Sequence, residues 1–395
     1  MKKVLLLVCS FVMFSCSEEL SQEEQQVGTS MEVSTEGTSL LVANAFFDSV
    51  KKASNTRSLF GATYPDYYGG CYMSDEGRTV FKVVKGCLNS ARGDLENRVG
   101  TSCFDIEECE YSYNFMDNIL KELDSKFFSK NFDDKRHSLG WLGYGINNRD
   151  NVIEIELRDC TDGSIARFKA EVMDSPIFRF EVGYEFTNKW DDSNDNLKES
   201  RVTTRSAGLA MGGEIWCLGS RGSIGYRAKN SSNEVGFVTA GHFSSLFTNV
   251  SLTFGGTEIG YAEQSVVGGV DAAFISLYPG YEITSTLTAY GMNSIVTTLP
   301  IVLIENSGVG KEGASTFYSR GKVLETGRRI TNNGVAINNV TVTNYDSDGG
   351  DSGGVVFDTS FRRLAGVHQG ARTNGTEHYY VVESDIRSSL GVTPY

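Results

Sequence analysis

Asp348-Gly349-Gly350-Asp351-Ser352-Gly353-Gly354 is followed at once by the apolar run Val355-Val356-Phe357. Four glycines crowd one hydroxyl, the composition needed where backbone N–H groups must approach a reacting carbonyl with no side chain in the way. The stretch predicts a serine nucleophile, Ser352, in a turn that offers the Gly350 and Ser352 N–H groups to an oxyanion.

A serine hydroxyl is a weak nucleophile until a neighbouring base takes its proton, so a histidine must arrive from elsewhere. The chain has four: His137, His242, His368 and His378. His242 ends Gly236-Phe237-Val238-Thr239-Ala240-Gly241-His242, a short apolar, β-branched run closing on small residues. Asp271 lies between His242 and Ser352 in Gly268-Gly269-Val270-Asp271-Ala272-Ala273-Phe274-Ile275, an acid leading into another apolar run. The order is histidine, aspartate, serine.

These three motifs resemble those of the trypsin-like (chymotrypsin-fold) serine proteases, whose triad runs in the same order. Their short spacing is most similar to the compact bacterial branch around streptogrisin and α-lytic protease, and the likeness covers roughly 207–395. The resemblance implies two packed six-stranded antiparallel barrels for that part and an α+β N-terminal part. It also implies a serine endopeptidase acting on protein and peptide substrates through an acyl-enzyme, with His242 as base, Asp271 as its support and Ser352 as nucleophile. No cofactor or metal is implied.

Further residues take expectations from the same resemblance. Asp351 should be buried and need a cationic partner, and Val309-Gly310-Lys311-Glu312-Gly313 resembles the segment supplying one, which makes Lys311 the candidate. Asp346 stands where a carboxylate at the pocket floor sets Lys/Arg preference. His368, in Gly366-Val367-His368-Gln369-Gly370, falls where glutamate-specific bacterial relatives also carry histidine, and His378 approaches the same pocket. Preference for Lys/Arg, for Glu, or for a mixture therefore stays open. Gln369 replaces the serine that normally supports the catalytic aspartate.

The remaining chain fits a secreted, multi-part protein. With 395 residues there is room for two or three domains. Forty-three glycines against 5 prolines favour turn-rich β structure, and a net charge of −14 argues against a nucleic-acid partner. Lys2 and Lys3 precede the apolar run from Val4 to Phe14, an export signal too short for a permanent span. Cys16 at its end resembles a bacterial lipobox cysteine, and Ser17-Glu18-Glu19 resembles the acidic export tag of Bacteroidetes surface lipoproteins. An outer-membrane lipoprotein of the cell envelope, or a secreted protein, is expected, touching membrane only through its lipid.

Cys71, Cys87, Cys103, Cys109, Cys160 and Cys217 allow disulfides of undeduced pairing, and no Cys-x-x-Cys pair supports a zinc site. The domain division read from the sequence is 1–16 signal, 17–39 tether, 40–188 pro-region-like or accessory domain, 189–206 processing linker and 207–395 protease.

Within 40–188, helices are expected over 40–59 and 111–132, a Gly-rich turn over 140–148, and strands over 152–157, 168–172 and 177–182. Residues 60–110 show no assignable pattern. Short strands recur between Val235 and Val382, including 295–304, and a closing helix is expected over 384–390. Helix, Gly-rich turn and strand just upstream of the protease resemble the pro-region of the streptogrisin group, which implies a zymogen with its own N-terminal region as intramolecular inhibitor. Glu199, Arg201 and Arg205 are the visible processing handles. Two alternatives accompany this reading: a permanent substrate-recruiting N-terminal domain, and an inactive protease-fold surface lipoprotein serving as a binding module or adhesin.

Overall fold

A computed structural model of the chain describes residues 34–56, 59, 62–188, 209–291 and 293–395. The signal, Cys16, most of the tether and the handles Glu199, Arg201 and Arg205 lie outside the described residues. Among the described residues, no helix is long and apolar enough to cross a membrane.

Ser34, whose hydroxyl accepts the Gly37 N–H at 3.0 Å, caps α1 (Thr35–Ala53), so the first helix begins inside the stretch read as a tether. Its Leu40, Ala43, Phe46 and Val50 share one buried stripe. The unassigned stretch holds β1 (Tyr68–Met73), β2 (Thr79–Val84), α2 (Leu88–Val99) and β3 (Asp105–Cys109), a small sheet with β1 antiparallel and β3 parallel to β2.

Next come α3 (Tyr113–Phe127), capped by Ser112, then α4 (Asp133–Leu139), β4 (Trp141–Asn147), β5 (Val152–Leu157), α5 (Asp162–Glu171), β6 (Phe178–Val182) and β7 (Phe186–Thr187). Two expectations fail here. Residues 140–148 form a strand, because Gly143 and Gly145 serve close approach to another strand and not a bend. A Cβ on Gly143 would lie 2.7 Å from the Arg329 carbonyl oxygen, and one on Gly145 2.5 Å from Arg328 Cδ. Residues 168–172 mostly continue a helix begun at Thr161, whose hydroxyl accepts the Ser164 N–H at 3.2 Å.

The C-terminal part is all-β except for one helix. Its first group is β8 (Glu214–Cys217), β9 (Ser220–Ser223), β10 (Arg227–Lys229), β11 (Val235–Thr239), β12 (Asn249–Ser251), β13 (Glu258–Gly268) and β14 (Val270–Leu277). The second is β15 (Gly308–Gly313), β16 (Phe317–Asn332), β17 (Val335–Thr343), β18 (Val355–Asp358), β19 (Leu364–Arg372) and β20 (His378–Val382). The closing helix α6 (Glu383–Leu390) and β21 (Thr393–Pro394) complete the chain.

The strands expected to make two packed six-stranded antiparallel barrels are laid out in two large sheets. The first group makes an 8-stranded sheet in the order β21-β10-β11-β14-β13-β12-β8-β9. The second makes a 10-stranded sheet, β15-β18-β19-β20-β17-β16-β4-β5-β6 with β7 beside it. The long β16 serves two neighbours: its first part pairs with β15, matching Gly308 to Lys322 and Gly313 to Phe317, while its far end pairs with β4, matching Arg329 to Tyr144 and Ile330 to Gly143, so the sheet both turns back on β15 and runs on into the N-terminal half.

Residues 295–304 also form no regular strand. Pro300 lacks a donor, Val302 exchanges hydrogen bonds with the Asn44 side chain, and Ile301, Leu303 and Ile304 bury themselves against the α1 layer. The six described cysteines are unpaired thiols.

Candidate active site

The two sheets bring the motif residues to one place. β11 runs antiparallel to β14 with Thr239 opposite Ala273, which sets the turn after β11 beside the start of β14. Gly241 makes the approach possible, since any Cβ there would overlap the Val266 carbonyl and crowd the Asp271 carboxylate. Asp271 is buried, with Oδ1 accepting the His242 backbone N–H at 2.9 Å and Oδ2 lying 2.7 Å from His242 Nδ1. Both carboxylate oxygens thus hold one histidine, the arrangement that fixes an imidazole's tautomer and orientation. Gln369 contributes from the other sheet: its side-chain amide donates to the Asp271 carbonyl oxygen at 2.7 Å, bracing the backbone and not the carboxylate.

Ser352 sits in the turn before β18, almost wholly buried. Its hydroxyl donates to the Gln369 carbonyl at 3.1 Å and makes no hydrogen bond to His242. Gly350 and Gly353 adopt φ of 93° and 89°, the left-handed side that a glycine-rich turn supplies. Asp351, Gly353 and Gly354 direct their N–H groups to Asp348, His368 and Asp351 carbonyls respectively. The Gly350 and Ser352 N–H groups donate to no acceptor among the described residues, which leaves these two for a ligand.

The turn is held from beneath by Asp351. Its carboxylate accepts Lys311 Nζ at 2.7 Å, the Thr316 hydroxyl at 2.6 Å, and the N–H groups of Ser315, Thr316 and Asp348 at 2.8, 3.1 and 3.0 Å. Lys311 and Asp351 side chains are both 0% exposed. Burial opposes the charge on Asp351, but the Lys311 ammonium and the hydrogen bonds hold its carboxyl below the ordinary value.

His368 and His378 come together around Tyr345, with ring centroids 6.4 Å apart. His368 Nδ1 lies 3.0 Å from the Tyr345 hydroxyl, while its buried Nε2 makes no hydrogen bond among the described residues. Burial, helped by Lys311, pushes His368 well below the usual histidine value, and burial brings His378 from 6.5 to about 4. Asp346 is exposed, its backbone carbonyl accepts the Ser319 hydroxyl at 2.6 Å, and its charge acts on His378. His137 lies on α4, away from this cluster.

The depressed histidines have a measurable consequence. Between pH 4 and 6.5 the unfolded chain binds a proton on His378 that the folded chain refuses, so stability rises with pH across that window and is lost towards acid. In His378→Asn this acid loss should be shallower than in the parent, measured as urea midpoints at several pH values. Parallel curves would show that His378 does not titrate in this way.

Sequence reasoning missed β7. Phe186 and Thr187 pair antiparallel with Arg372 and Ala371 of β19, and a Cβ on Gly370 would lie 2.5 Å from the Thr187 carbonyl oxygen. This two-residue strand therefore lies along the stretch that follows Gln369. Phe186 and Thr187 alone carry no periodic signal that could have revealed it.

A family model described as "Pro-like C-terminal domain" matches residues 114–183. Streptogrisin-D of Streptomyces griseus is 28% identical over 177 residues, 44% of this chain and 45% of that protein. Glutamyl endopeptidase 2 of the same organism is 27% identical over 188 residues, 47% of this chain and 98% of that protein. Among solved structures, protease A of Thermobifida fusca aligns with a TM-score of 0.43 at 22% identity, over 48% of this chain and 98% of its own. The matched region of Streptogrisin-D is thus less than half of that protein's length. Close to half of this chain has homologues, at low identity, among bacterial serine proteases of the chymotrypsin fold.

Proposed function

We propose that the chain is the precursor of a serine endopeptidase in which Ser352 attacks the scissile carbonyl. His242 takes the serine proton and returns it to the leaving amine, and Asp271 fixes the imidazole and balances its charge. The observation that carries this reading is the doubly held His242–Asp271 pair together with two unpartnered N–H groups flanking Asp351. One such donor is worth roughly 3 kcal/mol of transition-state stabilisation in a dry site.

The resting geometry favours a held-back form. Ser352 turns its hydroxyl to Gln369 and away from His242, while Phe186 and Thr187 occupy the edge of β19 just beyond Gln369. A substrate adding a strand to that edge would have to displace them. The N-terminal half then blocks its own enzyme until the chain is cut in 189–206. Lipidation at Cys16 would keep the precursor on the cell envelope.

The same geometry favours an acidic residue before the scissile bond. With Nδ1 of His368 accepting from Tyr345, Nε2 carries a proton and no partner, a donor suited to a carboxylate. A relative bearing the name glutamyl endopeptidase agrees with this chemistry.

An organophosphonate probe and a peptide library varied at the residue before the scissile bond test both halves of the proposal. Labelling of Ser352 should appear only after cleavage in 189–206, and Glu should be preferred over Lys by about 10²-fold or more. A cut, folded chain that is never labelled would instead support the binding-module alternative.

A further inference from the structure

The two parts of the N-terminal half meet the catalytic half in different ways. Residues 113–183 have a core of their own: Met116, Leu120, Leu123, Phe127, Trp141, Ile155 and their neighbours close on each other, and only the partly buried Ala336 joins from the catalytic half. This part is attached by the β4–β16 ladder, by Phe186 packed on Tyr379, by Asn148 and Arg149 on the Glu305 carboxylate, and by charge, with Asp124 on Arg329 at 3.0 and 3.2 Å, Glu154 and Glu156 on Arg328, and Glu156 on Arg372. It resembles the surface of a separate domain.

Residues 34–110 have no such independence. Leu40, Phe46, Val50, Tyr68 and Phe81 lie in one core with Ile301, Leu303, Ile304, Val309, Val356 and Tyr380 of the catalytic half, each of those six at most 6% exposed. Val356 and Tyr380 belong to β18 and β20, the strands beside the one bearing His368. Directional bonds fix the same seam. Asn44 exchanges both amide hydrogen bonds with Val302 at 2.9 and 3.0 Å, Met73 N–H donates to the Glu305 carbonyl at 2.9 Å, and Glu36 accepts from Gly308 N–H and Lys322.

We propose that residues 34–110 are a permanent layer of the catalytic unit, retained after the chain is cut, and that only residues 113–188 form a part that can swing off the catalytic half, still joined to 34–110 through residues 111 and 112. The inference rests on the reading that the chain is processed in 189–206. Removing 34–110 would expose an apolar face spanning Ile301 to Ile304, Val356 and Tyr380, larger than soluble surfaces tolerate. Removing 113–188 would free arginines that water solvates readily and uncover apolar surface chiefly where Phe186 packs on Tyr379. The mature enzyme is then a two-chain molecule, and any anchor upstream of Ser34 stays attached to it.

The test uses the full chain carrying Ser352→Ala, so that no self-digestion interferes and binding alone is read. One specific protease site is placed in 189–206 and a second between Glu110 and Tyr111. After both cuts, gel filtration and native mass spectrometry in 1 M NaCl should find the 34–110 fragment with the 209–395 fragment at one to one. Their separation should require denaturant. A 209–395 fragment that elutes alone, monomeric and with its native circular dichroism, would overturn the proposal. Because catalysis is absent from this measurement, its failure is separable from failure of the protease reading, which the phosphonate experiment decides.

Discussion

Asp271→Asn should lower kcat of the cut enzyme about 10⁴-fold while leaving its thermal midpoint close to the parent's. The reasoning starts from the two oxygens of Asp271, one on the His242 N–H and one on Nδ1. An asparagine keeps the shape and keeps one acceptor for the backbone N–H. Its amide, however, turns a donor toward Nδ1, which selects the imidazole tautomer protonated on Nε2. That tautomer cannot accept the proton of Ser352, so the base is lost although the ring stays in place. Ser352→Ala removes the nucleophile itself and should cost about 10⁶-fold. Because residues that act as one unit are not additive, the double variant should be no worse than Ser352→Ala alone. Single-turnover and steady-state hydrolysis of a Glu-containing peptide, on chains cut in 189–206, give these ratios. A fall of less than tenfold in either variant would remove the triad from the mechanism.

The residues of this site were legible because their chemistry is tied to short, unusual strings. An imidazole, a carboxylate and a glycine-ringed hydroxyl have few other uses in that order, and Lys311 followed from the resemblance of its segment to the one that supplies a counter-charge. What the sequence concealed were residues whose role depends on a distant partner. Gly143 and Gly145 look like a turn because glycine usually marks one, yet they let β4 approach Arg328 and Arg329. Ile301, Leu303 and Ile304 read as a strand because they are apolar and two of them are β-branched, but their neighbour is a helix starting at Thr35. Phe168 to Val172 alternates like a strand, while the cap at Thr161 commits it to a helix. Apart from that local cap, each error is a case of tertiary context overriding a local pattern.

Lys311→Met should destabilise the folded chain by about 3 kcal/mol and inactivate it as well. Lys311 and Asp351 are both fully out of water, and removing one member of such a pair strands the other's charge at a cost of about 3–5 kcal/mol. The lower end applies because Asp351 retains the Thr316 hydroxyl and three backbone N–H groups. Activity should suffer more than stability. Asp351 lies between Gly350 and Ser352, so any movement that lets water or a proton reach its carboxylate also turns the two N–H groups away from the oxyanion. Neutralising the stranded acid in Lys311→Met/Asp351→Asn should return part of the stability, because the remaining amide can still meet several of the same donors, but it should not return full turnover. Urea unfolding with an unchanged slope measures the first effect, and burst kinetics with an activated ester measures the second. If the single variant lost under 1 kcal/mol and kept its burst, the pair would be a bystander and the oxyanion turn would have to be held by the Ser223 contacts to Gly350 and Ser352 instead.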